Sequence, residues 1–188
     1  MKESQKIIIT SDGGIHFFQN KDFHSKEGFL KKEEIEKASS GETLETNTKK
    51  KLTVLEASFS DFYKKIARGP QIIPLKDVGT IITEVGLESD WTVVDAGTGS
   101  GALACILANH VTKGKVHTFE IREDHLDVAR KNIELLGLKN ATLTKHDIYE
   151  GIPIENVDLI TLDLPEPWKV TSHAEKSLKP GGYLVSYS

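Results

Sequence analysis

A single cysteine, Cys105, in 188 residues excludes a disulfide framework and a cysteine-rich zinc site. The seven histidines fall without ligand spacing, so no metal is expected. No run is apolar for long enough to span a bilayer, and the N-terminus lacks the basic-then-apolar profile of a signal peptide. A cytoplasmic protein with no membrane partner is therefore expected. A strong excess of one charge is also missing: 24 basic against 28 acidic side chains leave a net −4, which counts mildly against a polyanionic partner. The balance is uneven along the chain. Residues 1–65 hold 12 lysines and 11 acids, and the remainder holds 12 basic residues and 17 acids. Lys31-Lys32, Lys49-Lys50-Lys51 and Lys64-Lys65 lie in the first part, yet such runs are ordinary solvated surface and identify no ligand alone.

What is present changes character near residue 69. Before it, short apolar runs such as "KIIIT", "IHFF", "TLET" and "KLTVLEA" are separated by Ser11-Asp12-Gly13-Gly14, Asn20-Lys21-Asp22 and Asn47-Thr48-Lys49. This pattern predicts short strands and hairpins over residues 1–56, with "FLKKEEIEK" open between a helical turn and a loop. Phe59, Phe62, Tyr63 and Ile66 recur at helical spacing, predicting a helix over 58–67 capped by Ser58 or Ser60 and ended by Arg68-Gly69-Pro70. A small N-terminal β domain with its connecting helix (1–68) should thus precede a larger domain (69–188). In the latter, amphipathic helices alternate with apolar strands: "WTVVDAG", "KVHTFEI", "ATLTKHD", "VDLITLD" and, after a Pro180-Gly181-Gly182 turn, "YLVSYS". That rhythm predicts an α/β fold, a parallel sheet covered on both faces. A fifth strand finishing where the sequence does would leave an apolar sheet edge, so further C-terminal strands are expected to be missing.

"VVDAGTGSGALA" carries the chemistry. A buried strand ends at Asp95, and Gly97, Gly99 and Gly101 precede a helix, a pattern that brings backbone N–H groups up to a ligand at a positive helix end. Gly97, Gly99, Ser100, Gly101, Ala102 and Leu103 are the candidate cofactor-binding run. The letters also satisfy the dinucleotide fingerprint G-x-G-x-x-A, so a nicotinamide cofactor stays open at this point. The next strand ends add acids. Glu120 stands where a carboxylate accepts from both ribose hydroxyls of an adenosine-containing cofactor. Asp147 stands where one could accept from an adenine amino group. His125 opens the helix after Glu120, a surface imidazole or a further cofactor contact. Cys105 reads as a small core residue.

With "VVDAGTGSGALA", "FEI", "KHD" and "LDLPEPW" in this order, the chain resembles class I S-adenosylmethionine methyltransferases with their Rossmann-like sheet. More closely it is similar to the tRNA adenine-N1 methyltransferases that modify the T-loop adenine, position 58, with its neighbour 57 in archaeal members. "RGPQIIPLKDVGTII", "FHSKEGF" and "LTVLEASFSDFYKKIARGP" extend the resemblance upstream over nearly the whole chain. Residues 73–76 depart from it, reading Ile-Pro-Leu-Lys where an aromatic-Pro-Lys-like run belongs, and the family's last two strands are absent. The resemblance implies S-adenosylmethionine as cofactor, tRNA as partner and a homotetramer. It also implies a catalytic role for Asp163, which would accept a hydrogen bond from the adenine amino group and orient the ring. Pro165 and Pro167 would stiffen the turn; Trp168 would stack on a flipped base or pack against the next helix. The alternatives are a small-molecule methyltransferase of the precorrin type, a non-catalytic tRNA-binding subunit and, more remotely, an NAD-dependent dehydrogenase.

Overall fold

Each apolar run finds a partner in the structure, a computed structural model that describes residues 5–69 and 71–187. Pro70, expected to help stop the connecting helix, and Ser188, expected to close the last strand, lie outside the described residues. The chain divides into two compact units, Met1–Lys64 and Lys65–Ser188.

In the first unit β1 (Lys6–Ile9), β2 (Ile15–Phe17), β5 (Thr43–Glu45) and β6 (Lys51–Glu56) form an antiparallel sheet in the order β2-β1-β6-β5, and β3 (Phe23–Ser25) pairs with β4 (Gly28–Leu30) as a separate hairpin. The open segment is a helix, α1 (Lys32–Lys37), because Ile35 is its one buried anchor and joins Ile8, Leu30, Leu52 and Val54 in the core. Lys6 Nζ donates to the carbonyls of Ile35, Glu36 and Ala38 at 2.6–2.8 Å, supplying donors where the helix runs out of them. The expected helix over 58–67 is shorter than its apolar spacing implied. α2 spans Phe59–Tyr63, opened by a capping box between Ser58 and Asp61, while Ile66 is buried without being helical. Burial alone reproduced the helical spacing there.

The second unit is a five-stranded parallel sheet in the order β11-β10-β7-β8-β9. The strands are β7 (Thr92–Ala96), β8 (Lys115–Glu120), β9 (Ala141–Lys145), β10 (Val157–Asp163) and β11 (Leu178–Tyr187). They alternate with α3 (Leu75–Val85) ahead of the sheet, then α4 (Ala102–His110), α5 (Glu123–Leu136) and α6 (Thr171–Ser177). The α/β reading and the parallel sheet are borne out. β10 is buried from Val157 to Leu162, which accounts for its largely apolar run; its one interior acid, Asp158, accepts from Thr92 N–H at 2.8 Å. α4 is buried from Ala102 to Ala108; Cys105 lies within it, its thiol pushed up to about 12 by burial.

Two boundaries differ from expectation. β9 stops at Lys145, because the Asp147 side chain accepts from Tyr149 N–H at 2.9 Å and caps a single helical turn, Ile148–Glu150. At the other edge Pro180-Gly181-Gly182 does not precede the last strand but bulges within it: Leu178 pairs with Val157, and pairing resumes at Tyr183 with Leu159. Gly182 is required there, since a Cβ would lie 3.0 Å from the Val157 carbonyl oxygen.

Candidate active site

β7 is the middle strand, flanked by β8 on one side and β10 on the other, so chain connections diverge at its carboxyl end. In an open parallel sheet that divergence leaves a crevice. The turn from β7 into α4 is tied to both neighbours. Gly97 N–H reaches the Asp163 carbonyl (3.4 Å), Thr98 N–H the Phe119 carbonyl (3.1 Å) and Gly99 N–H the Glu120 carboxylate (2.9 Å). Gly101 closes the turn at φ +76°, and a Cβ there would stand 3.1 Å from Cβ of Ala129 on α5. Backbone sign and packing both demand glycine.

Three carboxylates surround this turn. Asp95 is 1% exposed, and its oxygens accept from Thr118 Oγ1 (2.7 Å) and Thr161 Oγ1 (2.8 Å). Thr118 Oγ1 in turn lies 2.6 Å from Thr98 Oγ1, linking the acid to the loop. Burial pushes the Asp95 carboxyl up to about 6, against those two hydroxyls, and the neighbouring Asp163 and Glu120 add to the rise. Glu120 is buried, and both oxygens are engaged: one accepts from the N–H groups of Ile121 and Arg122, the other from Gly99 N–H, with His125 Nδ1 at 3.4 Å. Asp163 is exposed as a residue, but its carboxyl sits partly within the protein and that desolvation raises its pKa. Its strand end is followed by the turn through Pro165 into a helical turn, Pro167–Val170, from which Trp168 projects 63% exposed. Trp168 therefore does not pack into the core.

A small hollow of about 30 Å³ opens at the strand ends, lined by Gln71, Ile72, Ile73, Asp95, Asp163 and the turn with the start of α4. Of the residues singled out from sequence, it brings together Gly97, Gly99, Ser100, Ala102, Leu103 and Asp163. Gly101 faces α5, while Glu120 and His125 support the turn from the β8 side. Asp147 does not line the hollow, and its carboxylate is engaged in capping. Ile73, in the 73–76 run that departs from the family pattern, lines the hollow, whereas sequence reasoning missed Gln71, Ile72, Thr118 and Thr161; the signal for the threonines was a hydroxyl in a strand, which β propensity explains equally well. The Ser100 hydroxyl is buried in the lining with no hydrogen-bond partner among the described residues. An orphaned polar atom at that place is what a ligand-binding turn leaves behind. The enclosed volume is about that of one water, so a nucleoside-sized cofactor would lie mostly along the open crevice.

A five-stranded parallel sheet with a glycine turn at its middle strand and acids around the carboxyl ends is a Rossmann-like arrangement, and it superposes on methyltransferases of that class. A family model described as "tRNA methyltransferase complex GCD14 subunit" matches residues 62–188, and the chain belongs to that family. It is 36% identical over 162 residues to the tRNA (adenine(57)-N(1)/adenine(58)-N(1))-methyltransferase TrmI of Methanocaldococcus jannaschii, an alignment covering 71% of this chain and 57% of that protein. Among solved structures, a SAM-dependent O-methyltransferase of Thermotoga maritima superposes with a TM-score of 0.83 at 29% identity, over 99% of this chain and 72% of that one. The tRNA (m1A58) methyltransferase TrmI of Aquifex aeolicus superposes with a TM-score of 0.78 at 25% identity, over 98% and 74%. The chain thus spans little more than half the length of the archaeal relative and about three quarters of the two solved structures. The family resemblance read from the motifs is borne out.

Proposed function

We propose that this chain binds S-adenosylmethionine at the carboxyl ends of β7, β8 and β10 and methylates N1 of the T-loop adenine, position 58, in tRNA. The observation that carries the reading is the glycine turn flanked by Asp163, Asp95 and Glu120, with a buried unpaired hydroxyl at Ser100, in a chain whose family is the tRNA methyltransferase complex GCD14 subunit. The turn from Gly97 to Leu103 and the Glu120 carboxylate would hold the cofactor, with His125 and Asp147 at its adenosine side. When bound, S-adenosylmethionine supplies an electrophilic methyl carbon that accepts the N1 lone pair as its bond to sulfur breaks.

The protein's own tasks are then few. N1 of adenine carries no proton at neutral pH, so no general base is needed. Asp163 accepts from the exocyclic amino group, aims the ring and stabilises the positive charge the ring acquires. The raised pKa of Asp163 leaves it less fully ionised in mild acid, so activity should fall on the acid side. Glu120 can take ribose hydroxyls only by exchanging some of its backbone donors, Gly99 N–H foremost, because both oxygens are already engaged. Trp168 is exposed beside the Asp163 turn and offers a face for a base drawn out of its stack. The reading extends to a cytoplasmic homotetramer, in which several copies of a chain of net charge −4 would bring lysine runs such as Lys49-Lys50-Lys51 around one polyanion. No helix among the described residues is long and apolar enough to cross a membrane.

Calorimetric titration with S-adenosylmethionine and, separately, with NAD tests the cofactor half of the proposal. Saturable binding of the first alone is expected; binding of NAD alone would return the glycine turn to the dinucleotide reading.

A further inference from the structure

Asn132 lies on α5, outside the residues so far given a part in the site. It is 2% exposed, and three hydrogen bonds satisfy its amide. Its Oδ1 accepts from Ala67 N–H (2.8 Å), and its Nδ2 donates to the Ala67 carbonyl (2.9 Å) and to the Ser100 carbonyl (2.8 Å). One side chain therefore holds both backbone groups of Ala67 and a carbonyl of the glycine turn. Four residues after Ala67 comes Gln71, which with Ile72 and Ile73 lines the hollow, and Ser100 lines it as well. Three residues before Asn132, on the same helix face, Ala129 meets Gly101. α5 thus braces the turn at two points and holds the backbone of Ala67.

Asparagine is a poor helix former, and burying an amide is unfavourable unless every group is paired. An aliphatic residue would serve the helix core better. The buried amide is explained by what it joins. We infer that Asn132 is a positioning residue for the cofactor site, setting the distance between the lining at Gln71–Ile73 and the turn at Ser100 by hydrogen-bonding the backbone that leads into each. The inference rests on the reading of that turn as the S-adenosylmethionine site. It assigns Asn132 to cofactor affinity and not to the transfer step, since none of its contacts reaches Asp163.

The test is Asn132→Asp in the full chain. The substitution is nearly isosteric and keeps the acceptor for Ala67 N–H, but it sets a carboxylate against the two carbonyls that Nδ2 had served. With two hydrogen bonds lost, S-adenosylmethionine should bind about tenfold more weakly or worse. Turnover at saturating cofactor should stay within about threefold of wild type, a split that general destabilisation does not produce. Affinity within about twofold of wild type would overturn the inference, whatever happens to stability. A wild type that binds no S-adenosylmethionine would overturn the functional reading and this inference with it; one that binds equally in wild type and variant would overturn this inference alone. Should the variant not fold, hydrogen exchange on the wild type decides. Adding S-adenosylhomocysteine should protect the Ala67 amide together with the Gly99–Gly101 amides, and protection of the turn without Ala67 would refute the coupling.

Discussion

Asp95→Asn isolates the site carboxyl whose pKa is raised furthest. The carboxyl is fully buried and titrates near 6 instead of 3.8, so the folded chain holds this proton more tightly than the unfolded chain. Protonation of Asp95 therefore favours folding. Its contribution is complete below about pH 4 and is lost as pH rises through 6. The gap of about two pH units corresponds to roughly 3 kcal/mol at neutral pH. Asparagine is neutral throughout. Its amide can still accept from Thr161 and donate to the Thr118 oxygen, whose proton is then free to face Thr98, so the local network survives. Urea denaturation at pH 4.5 to 7.5 would be compared between wild type and variant. The stability difference, variant minus wild type, should become more favourable to the variant as pH rises to 6 and stay level above it, by a total of about 2–3 kcal/mol. The subtraction removes every other titrating group common to both. Parallel pH profiles for the two proteins would refute the assignment of a raised pKa to Asp95.

Three further outcomes follow from the site. Asp163→Ala should lower turnover on tRNA by about two to three orders of magnitude, with S-adenosylmethionine affinity changed less than about threefold; steady-state kinetics and calorimetry together check this, and equal loss of both would indicate a cofactor or folding role. Gly101→Val places a branched side chain at φ +76° against Ala129, so it should cost about 2 kcal/mol or more in thermal denaturation and abolish cofactor binding in the fraction that folds. Trp168→Ala should leave stability within about 0.5 kcal/mol, because the indole is 63% exposed, while weakening tRNA binding by about 1–3 kcal/mol if a base stacks on it. Trp168→Phe should recover most of that loss in a filter-binding assay.

Much of this was legible from period alone. The inner strands β7 and β10 are mostly apolar because both faces of a parallel sheet are covered there, and the acids at 95, 120 and 163 stand out towards the carboxyl ends of their strands. Short-range hydrogen bonding hid more. Asp147 resembles Glu120 in sequence, yet its side chain finds the Tyr149 amide two residues on and ends the strand early. Ile66 continues a helical spacing that the backbone abandons after Tyr63. The bulge at Pro180-Gly181-Gly182 depends on Gly182 approaching the Val157 and Asp158 carbonyls, a relation between residues 25 apart that no local pattern encodes. Asn132, Thr118 and Thr161 were invisible for the same reason: each acts through a partner at least 23 positions away.

The central claim is that this crevice delivers a methyl group to one nitrogen of one tRNA base. Incubating the chain with unmodified tRNA transcript and isotopically labelled S-adenosylmethionine, followed by nuclease mapping and mass spectrometry, tests it directly. The account predicts label as 1-methyladenosine in the T-loop fragment containing position 58. Label on another base or atom, or none on tRNA while a small molecule is methylated, would contradict it.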